Sequence, residues 1–145
     1  VAKVIDVASY ILGKISPIPA MKLQKLVYYS QAWSLVWDDA PLFEEPIEAW
    51  ANGPVVRDLF DLHKGEFLIK SLPVKAHASR LTSTQQETID AVLKEYGNKS
   101  SQWLSDLTHL ESPWINARQK AGLVDGERGN AVITHDDMYQ YYSAL

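Results

Sequence analysis

The sequence has no cysteine, which removes disulfide frameworks and thiolate chemistry and fits a reducing compartment. No apolar run approaches the ~18 residues that a membrane span needs. The opening stretch VAKVIDVASYILGK is too amphipathic for a signal peptide, so a cytoplasmic protein is expected. A net charge of −4 lacks the basic footprint of a nucleic-acid binder. The nucleophile-elbow, phosphate-loop, dinucleotide and zinc-protease motifs are all missing. Gly126 and Gly129 are too isolated to cradle a phosphate. The four histidines are scattered without ligand spacing, so neither a metal nor an organic cofactor is expected.

What is present describes a globular chain. At 145 residues, 46% hydrophobic and 22% charged, it has the size of one domain and enough apolar material for a core. A single domain over residues 1–145 is expected. Five Trp, seven Tyr and three Phe supply core and interface area. Charge is uneven. Residues 1–37 hold Lys3, Lys14, Lys22 and Lys25 against Asp6, whereas residues 38–66 hold eight acids against Arg57 and Lys64. Such a gradient can steer a basic partner; its plain reading is an ordinary solvated surface.

Periodicity predicts a mainly α protein of about seven helices with one or two short extended segments. Val1, Val4, Ile5, Ala8, Ile11 and Leu12 form one face of a first helix, stopped by Gly13 and the Pro17/Pro19 pair. Met21 to Trp37 is a second helix with an apolar stripe wide enough for burial nearly all round. Residues 42–52 carry Pro46 and an alternation around Ile47 and Ala49, which reads as an extended segment or hairpin arm. Gly53-Pro54 is expected to open a third helix, with Pro54 at its first position and Gly65 at its end. A short strand is expected near Phe67–Ile69. A fourth helix starts at Ser83 with a capping box and stops at Gly97. Ser100 caps a fifth, Ser112-Pro113 starts a sixth, and Thr134 caps a seventh beyond a glycine-rich loop at 122–130.

Few clusters carry chemistry. His109 and Glu111 are the residue types of acid–base catalysis or metal binding, yet they stand two apart with no third ligand. The plainer expectation is that His109 bonds the local turn and Glu111 pairs with Arg118. His135, Asp136 and Asp137 read as acids at a helix N-terminus. Lys22 and Lys25 beside Tyr28 and Tyr29 could touch nucleic acid; the plainer reading is a solvated face beside a buried aromatic stripe. Trp50 either pins its loop to the core or stands out as a binding anchor.

Three stretches, taken together, are more specific: KLQKLVYYSQAWSLVW (22–37), PLFEEPIEAWANGPVVRDLF (41–60) and LSDLTHLESPWINAR (104–118). With the ending GERGNAVITHDDMYQYY (126–142), they resemble the Panacea domain, also called the SocA-like antitoxin or phage-associated GepA-like domain. Residues 66–82 are the least matched. The resemblance implies a largely helical antitoxin of bacterial and phage toxin–antitoxin pairs that neutralises unrelated toxins. At least one member resembles an adaptor that hands its toxin to an AAA+ protease. Family antitoxins often carry an added DNA-binding domain, for which these 145 residues leave no room, so the sequence leaves regulation of the chain's own operon open.

The resulting expectation is a non-enzymatic antitoxin that binds a protein toxin encoded by a neighbouring gene. The expected contact surface comprises Trp50, Asn52, Gly53, Pro54 and Val55, plus His109, Glu111, Trp114 and Arg118. Gly53 would permit a tight turn that a Cβ hinders. The rivals are a proteolytic adaptor acting with an AAA+ protease, an enzyme using His109 and Glu111, and a structural protein of a phage or mobile element.

Overall fold

The computed structural model describes residues 1–77 and 79–145. Its organising element is α2 (Ala20–Trp37), an uninterrupted 18-residue helix with neither glycine nor proline after its first residue. Thirteen of those residues are buried. The helices α1 (Val4–Lys14), α4 (Ser83–Tyr96), α5 (Ser101–His109) and α7 (His135–Tyr142) all pack on α2, as does the strand Gly53–Val56. One hydrophobic core therefore surrounds it, with Leu23, Leu26, Val27, Tyr29 and Ala32 inaccessible to solvent. Asp39, with φ of 54°, turns the chain out of the helix.

Burial of α2 on every side forces its polar residues inside, where they need partners. Gln31 accepts from the Leu42 N–H at 2.7 Å and donates to the Phe43 carbonyl at 2.7 Å. One helical residue thereby holds the extended chain beside it as a neighbouring strand would. Gln24, two turns earlier, does the same for Val56. It accepts from its N–H at 2.9 Å and donates to its carbonyl at 3.3 Å.

Val56 ends β3 (Gly53–Val56), which pairs antiparallel with β2 (Ile47–Trp50) in register Ile47↔Val56 to Trp50↔Gly53. Ala51 and Asn52 make the hairpin turn. On its far side β2 pairs with β5 (Val132–Ile133), giving the order β3-β2-β5. The expected helix start at Gly53-Pro54 is thus corrected. Those residues belong to a strand, and α3 runs only from Arg57 to His63. The missing proline N–H that suits a helix start equally suits the edge strand of a small sheet. A second sheet joins β1 (Ile18–Pro19) to β4 (Leu68–Ile69). Among the described residues, seven α-helices and five short strands make a mainly α fold with more sheet than periodicity implied.

Other boundaries shift slightly. The first helix starts at Val4, continues through Gly13 to Lys14, and leaves Val1 fully exposed. The capping box of α4 lies on Thr82 and Gln85 instead of Ser83 and Gln86. Ser100 and Thr134 cap α5 and α7 as expected, accepting from the Trp103 and Asp137 N–H groups. The sixth helix, α6, spans Ser112–Lys120 with Pro113 in its first turn.

Candidate functional site

The hairpin tip is gripped from behind by α5 and α6. Ser105 Oγ donates to the Asn52 carbonyl at 2.6 Å. His109 Nε2 lies 3.0 Å from the Ala51 carbonyl oxygen. Trp114 Nε1 donates to the Trp50 carbonyl at 2.8 Å, and Arg118 Nη1 to that of Ala49 at 2.9 Å. Four consecutive carbonyls are thus met by four side chains from two helices. Ser105 and His109 are four apart on α5, and Trp114 and Arg118 four apart on α6, the spacing that stacks side chains on one helix face.

The seam is reinforced sideways. The His109 and Trp114 rings lie 4.0 Å apart between centroids, and the Arg118 guanidinium stands 5.2 Å from the Trp114 ring centre. Arg118 Nη2 also donates to the carbonyls of Val124 at 3.0 Å and Glu127 at 2.6 Å, fastening the 122–130 loop. A buried guanidinium here is satisfied by backbone oxygens, not by a carboxylate. His109 Nδ1 lies 2.6 Å from the Ser105 carbonyl oxygen, so each ring nitrogen faces a backbone oxygen.

The expected Glu111–Arg118 pair does not form. Glu111 is buried and accepts from the hydroxyls of Tyr29 at 2.6 Å and Tyr142 at 2.7 Å, while Tyr142 meets Tyr28 at 3.0 Å. Burial pushes the Glu111 carboxyl above its usual range, and the two tyrosine donors pull it back. This network ties α2, α6 and α7 together beneath the seam.

The structure brings the expected contact residues into one assembly but gives most of them an interior place. Gly53, Pro54, Val55, Glu111, Trp114 and Arg118 are buried. Trp114 is a clamp on the hairpin and not an exposed anchor. The surface belongs to Asn52, Trp50 and part of His109. Trp50 is half-buried. Its ring meets Phe60 edge-on at 4.8 Å, its Nε1 donates to Glu48 at 2.8 Å, and the Arg57 guanidinium lies 5.1 Å from its centre.

A cleft opens on either side of the tip. One, of about 550 Å³, is lined by residues that include Met21, Lys25, Asn52, Phe60, Phe67 and Ser101. The other, of about 660 Å³, adds Trp50, Arg57 and Arg128 to the shared Met21, Asn52 and Phe60. Lys25 corrects the expectation of a solvated lysine. It is 1% exposed, and its Nζ has no hydrogen-bond partner among the described residues. Burial alone pushes its ammonium down to about 7. The clue in the sequence was the breadth of the α2 stripe, which leaves no solvent side for Lys25. Gln24 and Gln31, which no catalytic motif marks, stand seven apart on that same helix, again one face.

Among the described residues, no three His, Asp or Glu side chains gather as a metal would require, and no helix is long and apolar enough to cross a membrane. The architecture is that of a mainly helical protein presenting a braced β-hairpin between two clefts. Comparison with known families identifies it further: residues 23–115 match the family described as Antitoxin SocA-like, Panacea domain, and the chain belongs to that family. The match takes in most of the central helix, the hairpin, α5 and the start of α6, including Ser105, His109 and Trp114 of the seam; Arg118 lies just beyond it. Comparisons with curated proteins and with solved structures return no match.

Proposed function

We propose that this Panacea-domain protein is a cytoplasmic antitoxin that neutralises a protein toxin, encoded beside it, by direct non-covalent contact at the hairpin tip and its two clefts. The observation carrying this reading is the seam of four carbonyls held by Ser105, His109, Trp114 and Arg118. A tip fixed before the partner arrives loses little conformational entropy on binding, which favours affinity. The part-exposed Trp50 ring, already oriented by Phe60, Glu48 and Arg57, has the character of a binding anchor.

The same geometry argues against catalysis by His109 and Glu111. Both nitrogens of His109 face carbonyl oxygens, and Glu111 is closed in by tyrosine hydroxyls. A general base needs a lone pair within reach of a substrate proton.

The test is co-expression with the product of the neighbouring gene. Wild type should restore growth. Trp50→Ala and Asn52→Glu should keep the wild-type fold by circular dichroism and fail to restore growth. Full rescue by both folded variants would overturn the assignment of the surface. Undiminished toxin levels during rescue are expected for masking; disappearance of the toxin would replace masking by delivery to a protease.

A further inference from the structure

The cleft between α2, the hairpin tip and the start of α5 contains groups that nothing in the seam explains. Lys25 Nζ is buried without an acceptor, and Ser101 Oγ is likewise buried and unpartnered. Both residues line the cleft, together with Ser100, Gln102, His63 and Lys64. An ammonium without an acceptor in a protein interior is costly, and native structures seldom leave one so. Two such atoms at one cleft mark a position that something else fills.

The surroundings specify what. Ser101 and Gln102 are the first residues of the nine-residue helix α5, so their N–H groups have no intrahelical acceptor and the positive end of the helix dipole lies at the cleft. His63 is spoken for by Gln24 at 2.9 Å. Glu66 is the one carboxylate on the cleft wall, against Lys25 and Lys64. Beyond Asn52, the second cleft is flanked by Arg128 and by Arg57, whose guanidinium is already paired with Glu48 at 3.2 Å. Among the described residues, the free cationic groups around the tip are therefore Lys25, Lys64 and Arg128, on a chain of net charge −4. Its remaining wall is apolar: Met21, Phe60, and Phe67, which is 79% exposed. A hydrated phosphate dianion fits poorly against such a wall. A carboxylate on an aliphatic stem matches both the apolar lining and the single buried ammonium.

We infer that this cleft is a carboxylate subsite, which receives an acidic side chain of the partner protein and pairs it with Lys25, with Ser101 Oγ and the first N–H groups of α5 as further donors. Gly53 is part of the device. A Cβ there would stand 2.5 Å from Lys25 Cε and 3.3 Å from Nζ, so only glycine lets the lysine lie beneath the turn. The inference rests on the hairpin being the contact surface, and it adds the chemistry of what enters beside it. An acidic segment running from Lys25 towards Arg128 would cover both clefts.

The subsite is testable without the partner. Full-length protein, with assigned amide resonances, is titrated with sodium acetate, with inorganic phosphate, and with sodium chloride at matched ionic strength. Acetate should shift the amides of Ser101, Gln102 and Gly53 saturably. Lys25→Met should weaken that response about tenfold or more, equivalent to ~1.4 kcal/mol, and Ser101→Ala should weaken it to a smaller degree. Responses to acetate no different from those to chloride would overturn the subsite. So would an unchanged acetate affinity in folded Lys25→Met, or saturable binding of phosphate without acetate. In co-expression, Lys25→Met should lose rescue while leaving the Trp50 and Asn52 surface intact. Wild-type rescue by this variant removes the partner's carboxylate. Failure of the hairpin reading is reported separately by Trp50→Ala and Asn52→Glu.

Discussion

Lys25 passes directly beneath Gly53: the position of a Cβ on Gly53 falls 2.5 Å from Lys25 Cε, at a backbone φ of +120° that side chains rarely adopt. Steric conflict and backbone strain therefore coincide at one residue. Gly53→Ala should cost about 2 kcal/mol or more, measured by urea denaturation. Adding Lys25→Ala should return the steric share and leave the conformational share, a non-additivity that a double-mutant cycle reads directly. Unchanged stability in the single variant would mean the turn and the lysine are not so closely packed.

Stability should rise with pH through the range in which most proteins are flat. The Lys25 ammonium titrates near 7 when folded and near 10.5 when exposed. Between those values the unfolded chain holds a proton that the folded chain has released. The stability present above the window is thus lost as pH falls through it, by ~4–5 kcal/mol over its full width. Lys25→Met should flatten this slope and be the more stable protein at pH 7. Melts between pH 6.5 and roughly 9.5 test it, because buried Tyr28 and Tyr29, whose hydroxyls are pushed well up, remove stability above their unfolded value near 10. A slope identical in wild type and variant would contradict the burial of the amine.

Glu111→Ala should leave the Tyr29 hydroxyl without an acceptor and Tyr142 with only Tyr28 to bond, and cost ~2–4 kcal/mol. Glu111→Gln keeps an acceptor oxygen and should cost less. Because burial raises the carboxyl's folded value, its ionisation weakens the fold as pH climbs through and above the ordinary carboxylate range near 4.5. The Gln variant should lack that decline. A cycle between Glu111→Ala and Arg118→Ala should show coupling no larger than ~0.5 kcal/mol, since the two side chains have separate partners. Strong coupling would restore the ion pair expected from spacing.

The two tryptophans of the hairpin region should separate cleanly. Trp114→Ala removes a buried ring and the donor to the Trp50 carbonyl, and should cost ~3–5 kcal/mol. Trp50→Ala removes a half-exposed ring from an already braced turn and should cost clearly less by thermal melt. Equal losses would show that Trp50, too, is chiefly a packing residue.

Periodicity was sufficient for α1 and α4 because their burial follows one face; α2, buried nearly all round, is announced by the width of its apolar stripe, and Ser100 and Thr134 announce the caps of α5 and α7. It failed at Pro54, where a residue lacking an N–H suits two structures equally and the deciding factor, Gln24 completing the strand edge, lies thirty residues away. The two-residue strands β1 and β5 left no trace, being fixed by pairing and not by propensity. At the site, the two motifs around Gly53 and Trp114 could be singled out, and they do meet. Their roles could not be read, since a tryptophan that clamps a carbonyl and one that faces a partner look alike in one dimension. Lys25 departs from expectation because surface exposure is the common fate of lysine.

The seam holds the tip by its main-chain oxygens alone, and every amino acid offers the same carbonyl. Ser105, His109, Trp114 and Arg118 are therefore blind to which side chains stand at Trp50, Ala51 and Asn52. Ala51 and Asn52 can be exchanged without loosening the scaffold, and Trp50 at the smaller cost of its contacts with Phe60 and Glu48, much as a paratope varies on a constant frame. A library randomised there, with the four clamping residues kept, is the natural starting material for redirecting the domain to new targets.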